Sequence, residues 1–303
     1  MSKSQTKLPY SNKSAVSSVK DFFQLLKPRV MSLAIFTAIC GMILSPNRIH
    51  PVIGFISVLC IALGAGAAGV INMWYEKDLD LIMSRTQNRP LPKQRIHPQE
   101  ALNFGVFLGV FSVILLYLSA NLLAASLLAT SILFYIFVYT VWLKKKTYQN
   151  IVIGGVAGSI PPMIGWAVIE NNISLFPFLL FLIIFFWTPP HFWCLALFCN
   201  EDYKKANIPM LPLIKGTKIT KINILVYTLI LSYITLTPYL YGFVGKIYFI
   251  ITSILNIIFI VYALILFKKE DKARLLFRYS IIYLFTIFLT MISDKVTSNY
   301  VLY

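Results

Sequence analysis

The chain is patterned in long apolar blocks separated by short polar stretches, from about residue 30 to about residue 293. A bilayer core of about 30 Å is crossed by about 20 helical residues, and nine blocks reach or approach that length. They centre on residues 30–46, 52–74, 101–119, 121–142, 151–169, 174–198, 222–242, 247–267 and 277–293. The pattern predicts an all-α, polytopic integral membrane protein, a bundle of about nine transmembrane helices. The first block is short, contains Gly41, and its entry is expected before Arg29. Only Ser119-Ala120-Asn121 divides the third block from the fourth. Gly64, Gly66 and Gly69 in the second block, and Gly154, Gly155, Gly158 and Gly165 in the fifth, suit close helix packing through small-residue faces. Pro161-Pro162 is expected to break or kink the fifth, because proline removes a backbone donor. Such a kink either makes room for a large ligand or simply bends the helix.

Composition supports the same class. Of 303 residues 58% are hydrophobic and the mean hydropathy is +0.76, too apolar for a soluble domain. A net charge of +16 is compatible with a nucleic-acid partner until its distribution is considered. With the N-terminus cytoplasmic, 24 of the 27 basic residues fall in the inner segments, and only Arg48, Lys246 and Lys295 do not. That is the positive-inside pattern, giving N-terminus in and C-terminus out. The basic excess sets topology and attracts anionic lipid; no nucleic acid is expected. A polar tail over 1–21, without the apolar core of a signal peptide or the arginine-rich character of an organellar presequence, precedes a single membrane domain over 22–303. A bacterial cytoplasmic (inner) membrane is the expected location. Cys40, Cys60, Cys194 and Cys199 match no zinc or redox spacing and read as small packing residues.

The polar chemistry is concentrated in two connections, roughly 75–100 and 199–221. Each carries an acidic cluster, then basic residues, then a proline-leucine pair, an internal echo that suggests two related halves facing one cavity. In the first, Asn72, Glu76 and Asp80 are four apart. A step of four turns a helix by only about 40°, so all three share a face while Asp78 does not. Hard oxygen donors at this spacing suit Mg²⁺, which takes one or two carboxylates and leaves its other positions to water and phosphate. Arg85 and Arg89, again four apart, suit phosphate oxygens. The plainer reading is a solvated helix end with ordinary ion pairs. The second cluster runs from Thr188-Pro189-Pro190-His191-Phe192-Trp193 to Glu201-Asp202-Tyr203-Lys204-Lys205. If the intervening segment is helical, His191 and Asp202 share a face about three turns apart, with Asp202 at the membrane surface opposite the first cluster. A lone histidine in an apolar span is otherwise an ordinary core residue.

The run Asn72-x-x-x-Glu76-x-x-x-Asp80, followed by Arg85-Thr86-x-Asn88-Arg89-Pro90-Leu91-Pro92, resembles the first acidic motif of the UbiA-type intramembrane prenyltransferases. Lys27-Pro28-Arg29, TYQNIVIGGVAGSIPPMIGW (147–166), FWTPPHFWCLA (186–196) and DYKKANIPMLP (202–212) are similar to the heme-modifying branch of that superfamily. The resemblance covers roughly residues 22–292. Glu76 departs from it, standing where the superfamily commonly has Asp; the charge is kept on a longer arm. What the resemblance implies is a nine-helix bundle that joins farnesyl diphosphate to the vinyl group of heme b with water addition, heme b being a substrate rather than a cofactor. Mg²⁺ would be held by Asn72, Glu76, Asp80 and Asp202, with Arg85, Arg89, Lys144 and Lys204 sharing the diphosphate charge. Trp187, Phe192 and Trp193 would shelter an allylic cation, with Tyr203 a further contact. His191 would ligate or orient heme, and Lys27 or Arg29 would pair with a propionate. The implied partners are the lipid bilayer, farnesyl diphosphate, heme b and a downstream heme A synthase or oxidase-assembly factor. Two other readings stand beside it: prenylation of an aromatic acid for quinone synthesis, and ion-coupled transport. Transporters usually place their sites at mid-membrane, whereas these carboxylates gather at one surface.

Overall fold

In a computed structural model, residues 17–298 are described. Lys3, Lys7, Lys13 and most of the tail expected over 1–21 lie outside the described residues. Described structure begins with α1 (Val19–Leu25), capped by the Ser18 hydroxyl, which accepts from the Asp21 amide at 3.2 Å. α2 (Pro28–Leu44) follows at a bend of 59°. The bend has a local cause: a residue before proline is pushed out of the helical region, and Lys27 takes a left-handed φ of 53°. α3 (Pro51–Tyr75), α4 (Lys77–Ile82), α5 (Pro98–Ser119) and α6 (Leu122–Leu133) come next. Proline again opens α3 and α5, where its missing N–H costs nothing. The weak boundary at Ser119-Ala120-Asn121 is a true one: the Asn121 side chain caps α6 by accepting from the Ala124 amide at 2.8 Å.

α6 runs on without a break into a π-helix over Phe134–Leu143. α7 (Asn150–Ser159) and α8 (Pro161–Glu170) meet at Ile160, where Pro161-Pro162 divides one apolar block into two helices. α9 (Leu175–Phe198) carries Pro189-Pro190 inside it, and α10 (Asn200–Lys205) is a short turn beyond. α11 (Leu211–Leu240) starts eleven residues before the block expected over 222–242, and Gly216 at φ 81° kinks its first turn away from the rest. α12 (Lys246–Lys268), a 3₁₀ turn over Glu270–Lys272 and α13 (Ala273–Ser298) complete the chain. Among the described residues eight helical segments are long and apolar enough to cross a membrane, and the bent pair α1–α2 brings the number to as many as nine.

The outer surface is apolar, as a lipid-facing bundle requires: Leu118 is 73% and Phe55 71% exposed. Inside, α9 packs on α11, α7 and α13, while α2 packs on α8 and α3 on α5. Backbones touch where α2 crosses α8. A Cβ on Gly165 would stand 2.0 Å from the Ala38 carbonyl oxygen, and one on Gly41 2.1 Å from that of Pro162. At the end of the bundle away from the two acidic connections, Glu170 accepts from Ser45 and from the Asn47 side chain, and Lys295 donates to the Ser45 carbonyl at 2.5 Å. Those contacts tie α2, α8 and α13 together at that end.

Candidate active site

The other end is where the functional chemistry gathers. α3 delivers Asn72 there and stops at Glu76, whose backbone (φ −96°, ψ 9°) leaves the helical region. The hydrogen bonds from the Glu76 amide to Asn72 and from the Asp80 amide to Glu76 nevertheless keep helical spacing across the break. Asn72, Glu76 and Asp80 therefore face one cavity and are 2%, 5% and 2% exposed, while Asp78 is exposed on the far side. The cavity, of 460 Å³, lies within the range of small-molecule sites.

Each of the three oxygen donors meets a basic side chain. The Asn72 Oδ1 accepts from Lys27 Nζ at 2.5 Å, and the left-handed backbone of Lys27 turns that side chain inward. Lys144 Nζ lies 2.5 Å from Glu76 Oε1, an ion pair without hydrogen-bond alignment. One nitrogen of Arg89 donates to both oxygens of Asp80, at 2.8 and 3.0 Å. Arg85 and Arg29 also line the cavity, and neither has a carboxylate partner among the described residues. An uncompensated buried carboxylate is expensive, so Lys144 and Arg89 hold the two acids in place.

Sequence reasoning missed several residues here. Thr140 accepts from Asn72 Nδ2 at 2.9 Å and fixes the orientation of that amide. Tyr135 and Tyr139, with ring centroids 5.3 Å apart, line the wall, and Lys144 lies 5.7 Å from the Tyr139 ring. All of these come from the π-helix, whose extra residue per turn resets which side chains face inward. A repeat of apolar residues gives no sign of it. Asn150, the first residue of α7, is another missed residue. It donates to the Thr147 carbonyl at 2.7 Å, holding the Lys144–Thr147 turn against the cavity.

The second connection differs from expectation in four respects. α9 ends at Phe198, and although the Cys199 and Tyr203 amides keep helical hydrogen bonds across the break, His191 lines the cavity and Asp202 does not share its face. Asp202 does not line the cavity. It accepts from Ser84 Oγ at 2.7 Å, and that bond, with the Ser84 and Arg85 amides, holds its carboxyl below the usual range. No group of three His, Cys, Asp or Glu residues close enough to hold a metal ion occurs among the described residues, so the four-ligand set that included Asp202 is not assembled. Trp193 points away from the cavity, edge-on to Tyr227 at 5.1 Å, because two residues beyond His191 is about 200° around the helix. Lys204, one residue beyond the buried, cavity-lining Tyr203, is exposed.

His191 does face the cavity. Its ring is stacked between Trp187 and Phe277 at 4.3 and 4.4 Å, and Nδ1 lies 2.7 Å from Ser280 Oγ. Ser280 gives its single hydrogen to the Phe277 carbonyl at 2.7 Å. Nδ1 must then be the donor, which leaves a lone pair on Nε2. The oxygen donors Asn72, Glu76 and Asp80, buried on one cavity wall, fit a hard divalent cation that keeps most of its shell for phosphate and water.

The comparisons agree with this architecture. The model of the UbiA prenyltransferase family matches residues 34–290. Protoheme IX farnesyltransferase from Rhizorhabdus wittichii is 52% identical over 93% of this chain and 96% of its own. The Rickettsia prowazekii protein of the same name is 52% identical over 92% and 91%. Among solved structures, a digeranylgeranylglyceryl phosphate synthase superposes with a TM-score of 0.77 at 21% identity, over 92% of this chain and 98% of its own. A UbiA homolog from Archaeoglobus fulgidus bound to DMAPP and Mg²⁺ gives 0.68 at 16%, over 90% and 99%. These two share the fold. The chain belongs to the UbiA prenyltransferase family, and along nearly its full length it is similar to the protoheme IX farnesyltransferases.

Proposed function

We propose that this protein transfers the farnesyl group of farnesyl diphosphate to a vinyl group of heme b, with addition of water, giving heme O and diphosphate. One observation carries the reading. A single cavity has a rim of oxygen donors and basic side chains at one end and a stacked histidine with an available ring nitrogen on its wall. Relatives at 52% identity bear the name of this activity.

Arg85, with no acid partner among the described residues, is free to meet the diphosphate first. The diphosphate then offers Arg89, Lys144 and Lys27 a competing anion, which draws them off Asp80, Glu76 and Asn72. Those three residues would hold Mg²⁺, which when bound neutralises charge on the departing diphosphate. The farnesyl C1–O bond breaks and its electron pair leaves with diphosphate. The vinyl π pair forms the new carbon–carbon bond to C1. Water adds its oxygen to the cation left on the other vinyl carbon and loses a proton. Tyr135, Tyr139, Trp187 and Phe192 exclude water from the allylic cation until the vinyl group reaches it, and their ring faces favour positive charge. Nε2 of His191 suits the heme iron, and Arg29, which is not drawn to the diphosphate, suits a propionate. Asp202 serves at one remove, holding the Ser84-Arg85 turn so that Arg85 stays at the rim. Trp193 and Lys204 have no part in this reading. The basic-residue distribution supports a rim on the cytoplasmic side of what we take to be a bacterial inner membrane, from which heme O would pass to a heme A synthase or an oxidase-assembly factor.

The test is reconstituted protein in liposomes with farnesyl diphosphate, heme b and Mg²⁺, with extracted hemes analysed by mass spectrometry. Heme O should form, cease in excess chelator and return with added Mg²⁺. Label from farnesyl diphosphate appearing in 4-hydroxybenzoate and not in heme would overturn the acceptor. Full activity in chelator would overturn the metal.

A further inference from the structure

Three glycines of α7 line the cavity, and they are not equivalent. A Cβ on Gly154 would stand 2.3 Å from the Tyr139 ring, and one on Gly155 3.1 Å from Thr188. Both allow neighbouring groups to pack. Gly158, one turn further from the rim, also lines the cavity, yet beyond its own stretch of helix no heavy atom lies within 4 Å of the position its Cβ would take. Packing does not explain why this position lacks a side chain. Open cavity does.

Gly158 is eight residues beyond Asn150, about 12 Å along the helix. At that depth the charged lining has ended: the Ser131 hydroxyl is spent on the Ala157 carbonyl at 2.9 Å, and Ala65, Ile132, Pro161, Ile184 and Leu284 complete the wall. His191 lies nearer the rim: Thr188 meets Gly155, and α9 runs from there toward the rim through His191. A diphosphate held by Arg85 and Arg89 would therefore place only the distal part of a prenyl chain beside Gly158, and a short chain would end before it.

We propose that Gly158 is a specificity-determining residue that sets the length of prenyl chain the cavity accepts. The proposal rests on the prenyl-transfer reading above, though not on heme as the acceptor. A side chain at this position fills the volume that a third isoprene unit needs and leaves the first unit untouched.

Binding of non-hydrolysable thiolodiphosphate analogues with dimethylallyl, geranyl, farnesyl and geranylgeranyl chains would be measured on purified full-length protein with Mg²⁺, without heme. The proteins compared are wild type, Gly158→Leu and Gly158→Ala. Gly158→Leu should weaken farnesyl and geranylgeranyl analogues more than 10-fold and leave dimethylallyl within about twofold. Gly158→Ala, adding one methyl to open space, should shift the same profile in the same direction by less. Equal loss across all four chains with Gly158→Ala, or an unchanged profile with Gly158→Leu, would overturn the proposal. If Gly158→Leu fails to fold, as judged by loss of dimethylallyl binding, the alanine series decides alone. A second measurement, the heme KM in the transfer assay, separates the two substrates. A raised heme KM with unaltered chain-length preference would place Gly158 against the acceptor and overturn its role in chain selection. Failure of heme as the acceptor would abolish transfer in every variant and leave the binding profile standing.

Discussion

Asp80 is the residue on which most of the proposed chemistry converges, because its two oxygens accept from Arg89 and are the ones that would hold the metal in the proposed reaction. Asp80→Asn keeps the shape and removes the charge. It is expected to lower kcat by about 10²-fold or more, the scale on which lost transition-state electrostatics act, while the protein still purifies as a folded bundle. A wild-type rate at matched protein concentration would remove Asp80 from the mechanism. His191 makes a different kind of prediction. Ser280 fixes its tautomer and two aromatic rings fix its plane, so the lone pair on Nε2 is pre-aimed. His191→Phe should abolish the shift in the heme Soret band on titration with the protein, with thiolodiphosphate binding unchanged. An unaltered heme spectrum in that variant would show that the histidine is a core residue only. The spacing of Asn72, Glu76 and Asp80 was legible from the chain because a helical step of four is nearly a full turn. The misplacement of Trp193 and Lys204 came from reading neighbours of a site residue as part of the site, when one or two steps of a helix turn a side chain away.

At the scale of elements, the breaks decide function. The Lys27-Pro28 bend, the end of α3 at Glu76, the π-helix and the Ile160 junction are the points at which polar groups or empty volume enter the bundle. The glycine crossing of α2 and α8 is the opposite case, a contact with no tolerance. Gly165→Ala would press a methyl into the Ala38 carbonyl and should cost about 1–3 kcal/mol, read as an earlier thermal unfolding midpoint in detergent. A midpoint equal to wild type would mean the helices separate easily there. The Ser84–Asp202 tie joins the two polar connections. Because the folded carboxyl titrates below its ordinary value, the tie is intact at neutral pH and is lost only as pH falls through that lowered value. Activity should therefore show no step from this group between pH 5 and 7. Asp202→Ala, by contrast, should raise the KM for farnesyl diphosphate, through a loosened Arg85, more than it lowers kcat. A fall in kcat alone would instead place Asp202 among the metal ligands.

The whole molecule is an apolar shell around a cavity with a charged rim at one end and an apolar depth. Its orientation in the bilayer is open to direct measurement. Single cysteines at Lys93 and Lys204 should react with a membrane-impermeant thiol reagent only from the cytoplasmic side, and one at Gly242 only from outside. Labelling of all three from one side would contradict the expected N-in topology. The sequence by itself determined the membrane class, the approximate number of spans and the identity of the first acidic motif. Each of these depends on local periodicity, on transfer of apolar side chains from water, or on residues a turn apart. Only the tertiary structure decided that Lys27 and Lys144 reach Asn72 and Glu76, that Asp202 holds a turn rather than lining the cavity, and that Gly158 faces empty space. Those facts depend on how helices distant in sequence pack and where they bend, and a single backbone dihedral or one extra residue in a helical turn is enough to change which side chains meet.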